Sequence, residues 1–103
     1  MTAKSIDMNY IIELGLHDSE LSSIFIDYNL KNIIMNVTTQ TENFIIELTG
    51  LELLKIEKEN DFKNKEIILD FNVNPELKTI EIFTTSNSRY EIKYQGSLVK
   101  VKK

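Results

Sequence analysis

The chain has no cysteine and no tryptophan, and only one proline, one arginine, one histidine and three glycines among 103 residues. Without cysteine there is no disulfide framework, no zinc ribbon and no thiol nucleophile. That composition fits a reducing compartment. One histidine would leave a zinc site to carboxylates, which zinc seldom accepts alone. Gly15, Gly50 and Gly96 are isolated, so no glycine-rich loop can cradle a phosphate, and no D-x-D-x-D-G calcium loop is present. Apolar runs are two or three residues long, as in "II", "IIM" and "IIL". A membrane helix needs about 18. The opening "MTAKSIDMNYIIELG" is broken by Asp7 and offers no signal-peptide core. The expectation is a cytoplasmic protein without cofactor, metal or membrane contact.

Positive charge is also scarce. Net charge is −4 and Arg89 is the only arginine. Nucleic-acid binders carry a basic face rich in arginine, so that class is not expected. An acidic surface keeps a small protein soluble, and it also suits a basic protein partner. What the chain does have is 42% hydrophobic residues, enough to offset chain entropy in a single domain spanning 1–103.

Those residues alternate. "SSIFIDY" places Ile24, Ile26 and Tyr28 on one face against Phe25 and Asp27. "IIMNV" groups Ile33, Met35 and Val37; "NFIIEL" groups Phe44, Ile46 and Leu48. "EIILDFNV" groups Ile67, Leu69, Phe71 and Val73 against Ile68, Asp70 and Asn72. "TIEIFT" offers Ile80 and Ile82, "YEIKY" offers Tyr90, Ile92 and Tyr94, and "LVKV" offers Val99 and Val101. Period two with β-branched and aromatic residues means half-buried strands. The separators are short and rich in Asn, Ser, Gly and Pro, with Pro75 in a loop, which favours antiparallel neighbours. The fold class is therefore mainly β. About seven strands form an antiparallel curled sheet, a sandwich or a small barrel.

Two stretches are open to two readings. Ser5 to Leu14 fits a short N-terminal helix with Ser5 as N-cap and Gly15 just past its end, or a strand through "YII". In "GLELLKIEKENDFKNKE", Leu54 and Ile56 alternate with Lys55 and Glu57. A strand to about Glu57 is favoured over a helix from Leu51 to Lys58.

Few residues invite chemistry. In "LHDSEL" a histidine, an acid and a hydroxyl are adjacent. A triad needs nucleophile, base and orienter in one geometry. Neighbours on a strand point to opposite faces, and on a helix they diverge. No G-x-S-x-G elbow is present. His17, partly buried and hydrogen-bonded, Asp18 and Ser19 read instead as a turn that leads the chain into a strand. The run "EKENDFKNKE", Glu57 to Glu66, reads as a solvated loop. Its functional reading is a contact in which Glu57, Glu59 and Asp61 meet a basic partner and Phe62 is an apolar anchor. Lys93, Lys100, Lys102 and Lys103 read as protection of an edge strand.

"GLHDSELSSIFIDYN", then "IIMNV", "NFIIELTGLELL" and "EIILDFNV", resembles small β-rich bacterial proteins that open with G/W-L/F-H-D-S/A-x-[ILV]. Those carry a later F-x-G-[VL]-x-x-L element, approximated here by "ELTGLELL" with Leu48 in the aromatic place. The likeness covers residues 13 to 75. Several such groups are immunity proteins of polymorphic or contact-dependent toxin systems. The resemblance implies a non-enzymatic inhibitor that binds a cognate toxin domain, in many cases a nuclease with a basic cleft. The other readings are a β interaction module or assembly subunit without a toxin partner, and a hydrolase using His17.

Overall fold

The computed structural model describes residues 3–6, 9, 11–12, 16–57, 66–85 and 87–102. Among these residues nine strands follow one another: β1 (Ala3–Ile6), β2 (Glu20–Asp27), β3 (Asn32–Thr38), β4 (Asn43–Thr49), β5 (Leu53–Glu57), β6 (Ile68–Asn74), β7 (Thr79–Thr84), β8 (Arg89–Lys93) and β9 (Gly96–Lys102). They form a five-stranded sheet, β1-β9-β4-β3-β2, and a four-stranded sheet, β5-β8-β7-β6. Every pairing is antiparallel. The two sheets enclose one apolar cluster, so the architecture is a two-sheet sandwich and not a closed barrel.

Alternation decides which residues enter that cluster. Ile33, Met35 and Val37 on β3, Phe44, Ile46 and Leu48 on β4, and Val99 and Val101 on β9 are buried. From the other sheet come Ile80, Ile82, Tyr90 and Ile92. Each such side chain contributes about 1.5–3 kcal/mol relative to exposure. Ile11 and Leu16, from the segment before β2, are also fully buried in the cluster.

Two hairpins share one turn chemistry. The Asp27 carboxylate Oδ1 accepts the Asn29 and Leu30 N–H groups at 3.0 and 3.1 Å, and Asn74 Oδ1 accepts those of Glu76 and Leu77 at 3.1 and 3.0 Å. Four residues further on, Lys31 and Lys78 take positive φ, 56° and 55°, and reverse the chain. Those two lysine carbonyls then receive the segments that cross between sheets, from Leu51 N (3.0 Å) and Tyr94 N (3.1 Å). The crossings touch at Gly50 (φ 62°), where a Cβ would lie 2.9 Å from Gln95.

Several sequence expectations are corrected. Ser5 and Ile6 belong to β1, so no helix is capped at Ser5; Asn9, Ile11 and Ile12 are helical, and Leu14 and Gly15 lie outside the described residues. The ladder offered by β9 outweighs a local cap. With β1 the strands among the described residues exceed the seven or so expected, whereas Leu53–Glu57 is the strand that the alternation favoured. Because β1 pairs outside β9, β9 is interior, and Lys100 guards no edge there; Lys93 is likewise on the interior strand β8, and Lys103 lies outside the described residues. Tyr28 sits in the hairpin turn at 77% exposure and not on the core face. In β6 a bulge at Leu69 inverts the alternation: Ile68 and Phe71 both face the core, while Leu69 is exposed.

Candidate functional site

The "LHDSEL" stretch lies where the two sheets meet at one corner. Leu16 (φ 49°) and Asp18 (φ 66°) both take left-handed backbone, and Ser19 N–H donates to Leu16 C=O at 3.1 Å, closing a tight turn. The turn feeds β2 against the start of β6. Asp18 N–H reaches Ile68 C=O (2.9 Å), Ile68 N–H reaches Ser19 C=O (2.8 Å), Leu21 N–H reaches Glu66 C=O (2.8 Å), and Glu20 bridges to Ile67. His17 Nδ1 lies 2.6 Å from Leu69 C=O. A carbonyl only accepts, so Nδ1 carries the proton. The bulge at Leu69 turns its carbonyl toward the histidine, which supplies a partner that the β7 ladder does not.

Two expectations about this stretch change. His17 is not partly buried: its side chain is 64% exposed. Its ring does not diverge from its neighbour either, because Nε2 is 3.5 Å from Asp18 Oδ1. The rule that neighbours point apart holds for strands and helices; left-handed Asp18 is in neither. Ser19 is buried and Asp18 exposed. Its backbone bonds and the Nδ1 contact make the cluster a clamp between sheets, with the histidine proton already committed.

Of the acidic contact residues, Glu57 ends β5 on the outer face of the four-stranded sheet; Glu59, Asp61 and Phe62 lie outside the described residues. Glu57 Oε1 is 3.0 Å from Lys55 Nζ. That hydrogen bond and charge, helped by Arg89, hold its carboxyl below the usual range. Glu66, at the other end of the run, is not solvated: it is buried, and Ser88 Oγ donates to its Oε1 at 3.4 Å. Beside it Tyr90 is buried with no hydrogen bond of regular geometry to its hydroxyl. Burial first, then the Glu66 charge, push the Tyr90 phenol up to about 12, with Ser88 partly offsetting.

The outer faces of the sheets differ. On the four-stranded sheet Glu81 stands directly opposite Glu91, and Arg89 reaches both, at 2.7 and 3.4 Å. The guanidinium also lies over the Phe83 ring, 5.7 Å from its centre. On the five-stranded sheet one row runs Phe25, Ile34, Glu47, Leu98, with Ile45 on the next row. Phe25 is 61% exposed, and Leu98 is also exposed. This apolar row was not singled out from the sequence, although the alternation already put Phe25 and Ile34 on the wet side of their strands.

Among the described residues no three metal-ligating side chains cluster, and no helix is long and apolar enough to cross a membrane. No protein-family model matches the chain, and no curated protein matches it in sequence.

Proposed function

We propose that this chain is a non-enzymatic binding protein of the immunity type, which neutralises a bacterial toxin domain by covering it. The observation that supports this best is the row Phe25, Ile34, Glu47, Leu98 across the outer face of the five-stranded sheet, apolar at every position but Glu47. An outward aromatic and two aliphatic residues on a rigid sheet form the kind of anchor that interfaces are built around. The net charge of −4 suits a basic partner, and the acidic segment through Glu57, Glu59 and Asp61, with Phe62, is proposed to steer it. The likeness of the "LHDSEL" region to immunity proteins points to the same class.

On this reading a neighbouring gene encodes a toxin domain, and that gene's product is the partner to test. The two should bind with nanomolar affinity, and co-expression should relieve toxicity. Leu98→Lys should weaken the complex by about tenfold or more, while charge reversal at Glu57 should slow association and reduce its salt dependence. A neighbouring product that is not toxic, or does not bind, ends this reading.

A further inference from the structure

Among the described residues the sandwich has four edge strands, and they are not equally protected. β1 has four residues. β5 carries Lys55 at its centre. β6 is clamped at its start by the His17–Ser19 turn and ends at Asn74 before Pro75. β2 is the exception. From Ser22 to Asp27 it pairs with β3 on one side and with nothing among the described residues on the other. It contains no lysine, no arginine and no proline. Its bulge lies at Ser22, between Leu21 and Ser23, and leaves Ser23–Asp27 regular. Proteins usually blunt such an edge, because its open N–H and C=O groups accept another strand.

We propose that the β2 edge is the site at which a second copy of this chain pairs, antiparallel about a two-fold axis centred on Phe25. The strand itself selects this occupant. Side chains alternate in face, so only registers that pair residues of equal facing keep Ile24 and Ile26 inside and Phe25 and Asp27 outside. The register centred on Phe25 is the one that matches Ser23–Asp27 to the same five residues of the second copy. It sets Phe25 against Phe25, Ile24 against Ile26, and Ser23 against Asp27. An aromatic pair and an aliphatic pair on opposite faces are both favourable across strands. No like charges oppose each other.

The polar pair is complementary in hydrogen-bonding capacity as well. Ser23 Oγ accepts from Asn36 Nδ2 at 2.7 Å, so its own proton is free to be donated. Asp27 uses Oδ1 for the turn N–H groups of Asn29 and Leu30, which leaves Oδ2 to accept. Each copy therefore offers a hydroxyl donor at one end of the segment and a carboxylate acceptor at the other, as an isologous contact requires. The product is a ten-stranded sheet whose outer face carries the apolar row of both protomers end to end. Tyr28 and Leu30, exposed in the adjoining turn, flank the junction. The pairing is independent of whether the partner is a toxin.

The chain lacks cysteine, so single-cysteine variants report contacts cleanly. The full chain should sediment as a dimer at tens of micromolar. Phe25→Cys should cross-link to itself under oxidation or with a short bis-maleimide, because paired Cβ atoms lie about 5 Å apart, and Leu98→Cys should not. Phe25→Lys, which faces two lysines at the axis, should raise the dimer dissociation constant by about tenfold or more, while Leu98→Lys on the same sheet face leaves it unchanged. A wild-type chain that stays monomeric at high concentration overturns the proposal. So does a dimer indifferent to Phe25→Lys, or one that cross-links through Leu98 and not Phe25. Should Phe25→Lys fail to fold, the cross-linking pattern alone decides.

Discussion

The two sheets of this sandwich follow the same period-two rule and end up chemically unlike. The five-stranded sheet is apolar inside and carries an apolar row outside. The four-stranded sheet admits Thr84, Ser88 and Glu66 at one end of its interior and is armoured outside by Arg89, Glu81 and Glu91. Alternation sets only which residues share a face. What each face is for depends on the residues spent there. A sheet whose outer surface is ionic has its charges satisfied by its own neighbours. A sheet that leaves Phe25 and Leu98 in water has a surface that gains from being covered.

The sharpest test of the inside–outside division compares two adjacent residues. Ile46 is fully buried and Ile45, one position on, lies on the outer face. Ile46→Ala should cost about 2–5 kcal/mol, transfer plus cavity. Ile45→Ala should cost less than about 1 kcal/mol. Urea unfolding monitored by circular dichroism measures both, with an unchanged m-value showing that the unfolded state is not involved. Equal losses would mean the outer row is already covered in the free protein.

The interiors can be separated by pH. Tyr90 on the four-stranded sheet has its phenol pushed up to about 12, so the folded state holds that proton more tightly than the unfolded chain, near 10. The contribution is fully present below pH 10 and is lost as pH rises from 10 through 12. The two-unit difference corresponds to about 3 kcal/mol at most. Tyr90→Phe should flatten the alkaline fall in stability; a smaller slope from Tyr94, also raised by burial, persists. Among the described residues, those buried on the five-stranded sheet include no titratable group, so Ile46→Val should leave the slope as it is.

The strands of both sheets were legible in the sequence because burial acts on alternate residues. Ile33, Met35, Val37, Phe44, Ile46 and Leu48 sit where the pattern put them. Legibility failed where another interaction outbids the local pattern. The Leu69 bulge moved Ile68 inward; β1 formed because β9 was there to pair with, far away in sequence. The site was less readable than the fold. "LHDSEL" announced a turn, but its clamp onto β6 depends on contacts such as His17 with Leu69, 52 residues apart. Sequence reasoning looked for function among charged residues, and so passed over Phe25, an aromatic on the wet side of its strand.

That clamp is where the two sheets are hydrogen-bonded strand to strand, and its weak point is Asp18 at φ 66°. A β-branched residue there meets the full steric cost of left-handed backbone. Asp18→Val should lose about 1–2 kcal/mol, whereas Asp18→Gly should be nearly neutral, since glycine adopts that φ freely. Thermal unfolding distinguishes them. A neutral Asp18→Val would mean that the turn relaxes without disturbing the corner, and that the sheets are held by their shared core alone.

The smallest effect is expected on the ionic face. Glu81 and Glu91 are directly opposed across β7 and β8, an unfavourable arrangement that Arg89 offsets by reaching both. The hydrogen bond to Glu81 and the Glu91 charge hold the guanidinium above its ordinary range. These groups are more than a third open to solvent or close to it, so screening by water removes most of the benefit. Arg89→Gln should lower the melting temperature by less than Ile46→Ala or Asp18→Val, and added salt should shrink the difference by screening the exposed acids. Glu91→Gln in the same background should restore the loss, because it removes the like-charge pair that made Arg89 necessary. If Arg89→Gln instead destabilised as strongly as Ile46→Ala, the outer face of the four-stranded sheet would be a packed surface rather than a solvated ionic one. Its contrast with the apolar row would then disappear.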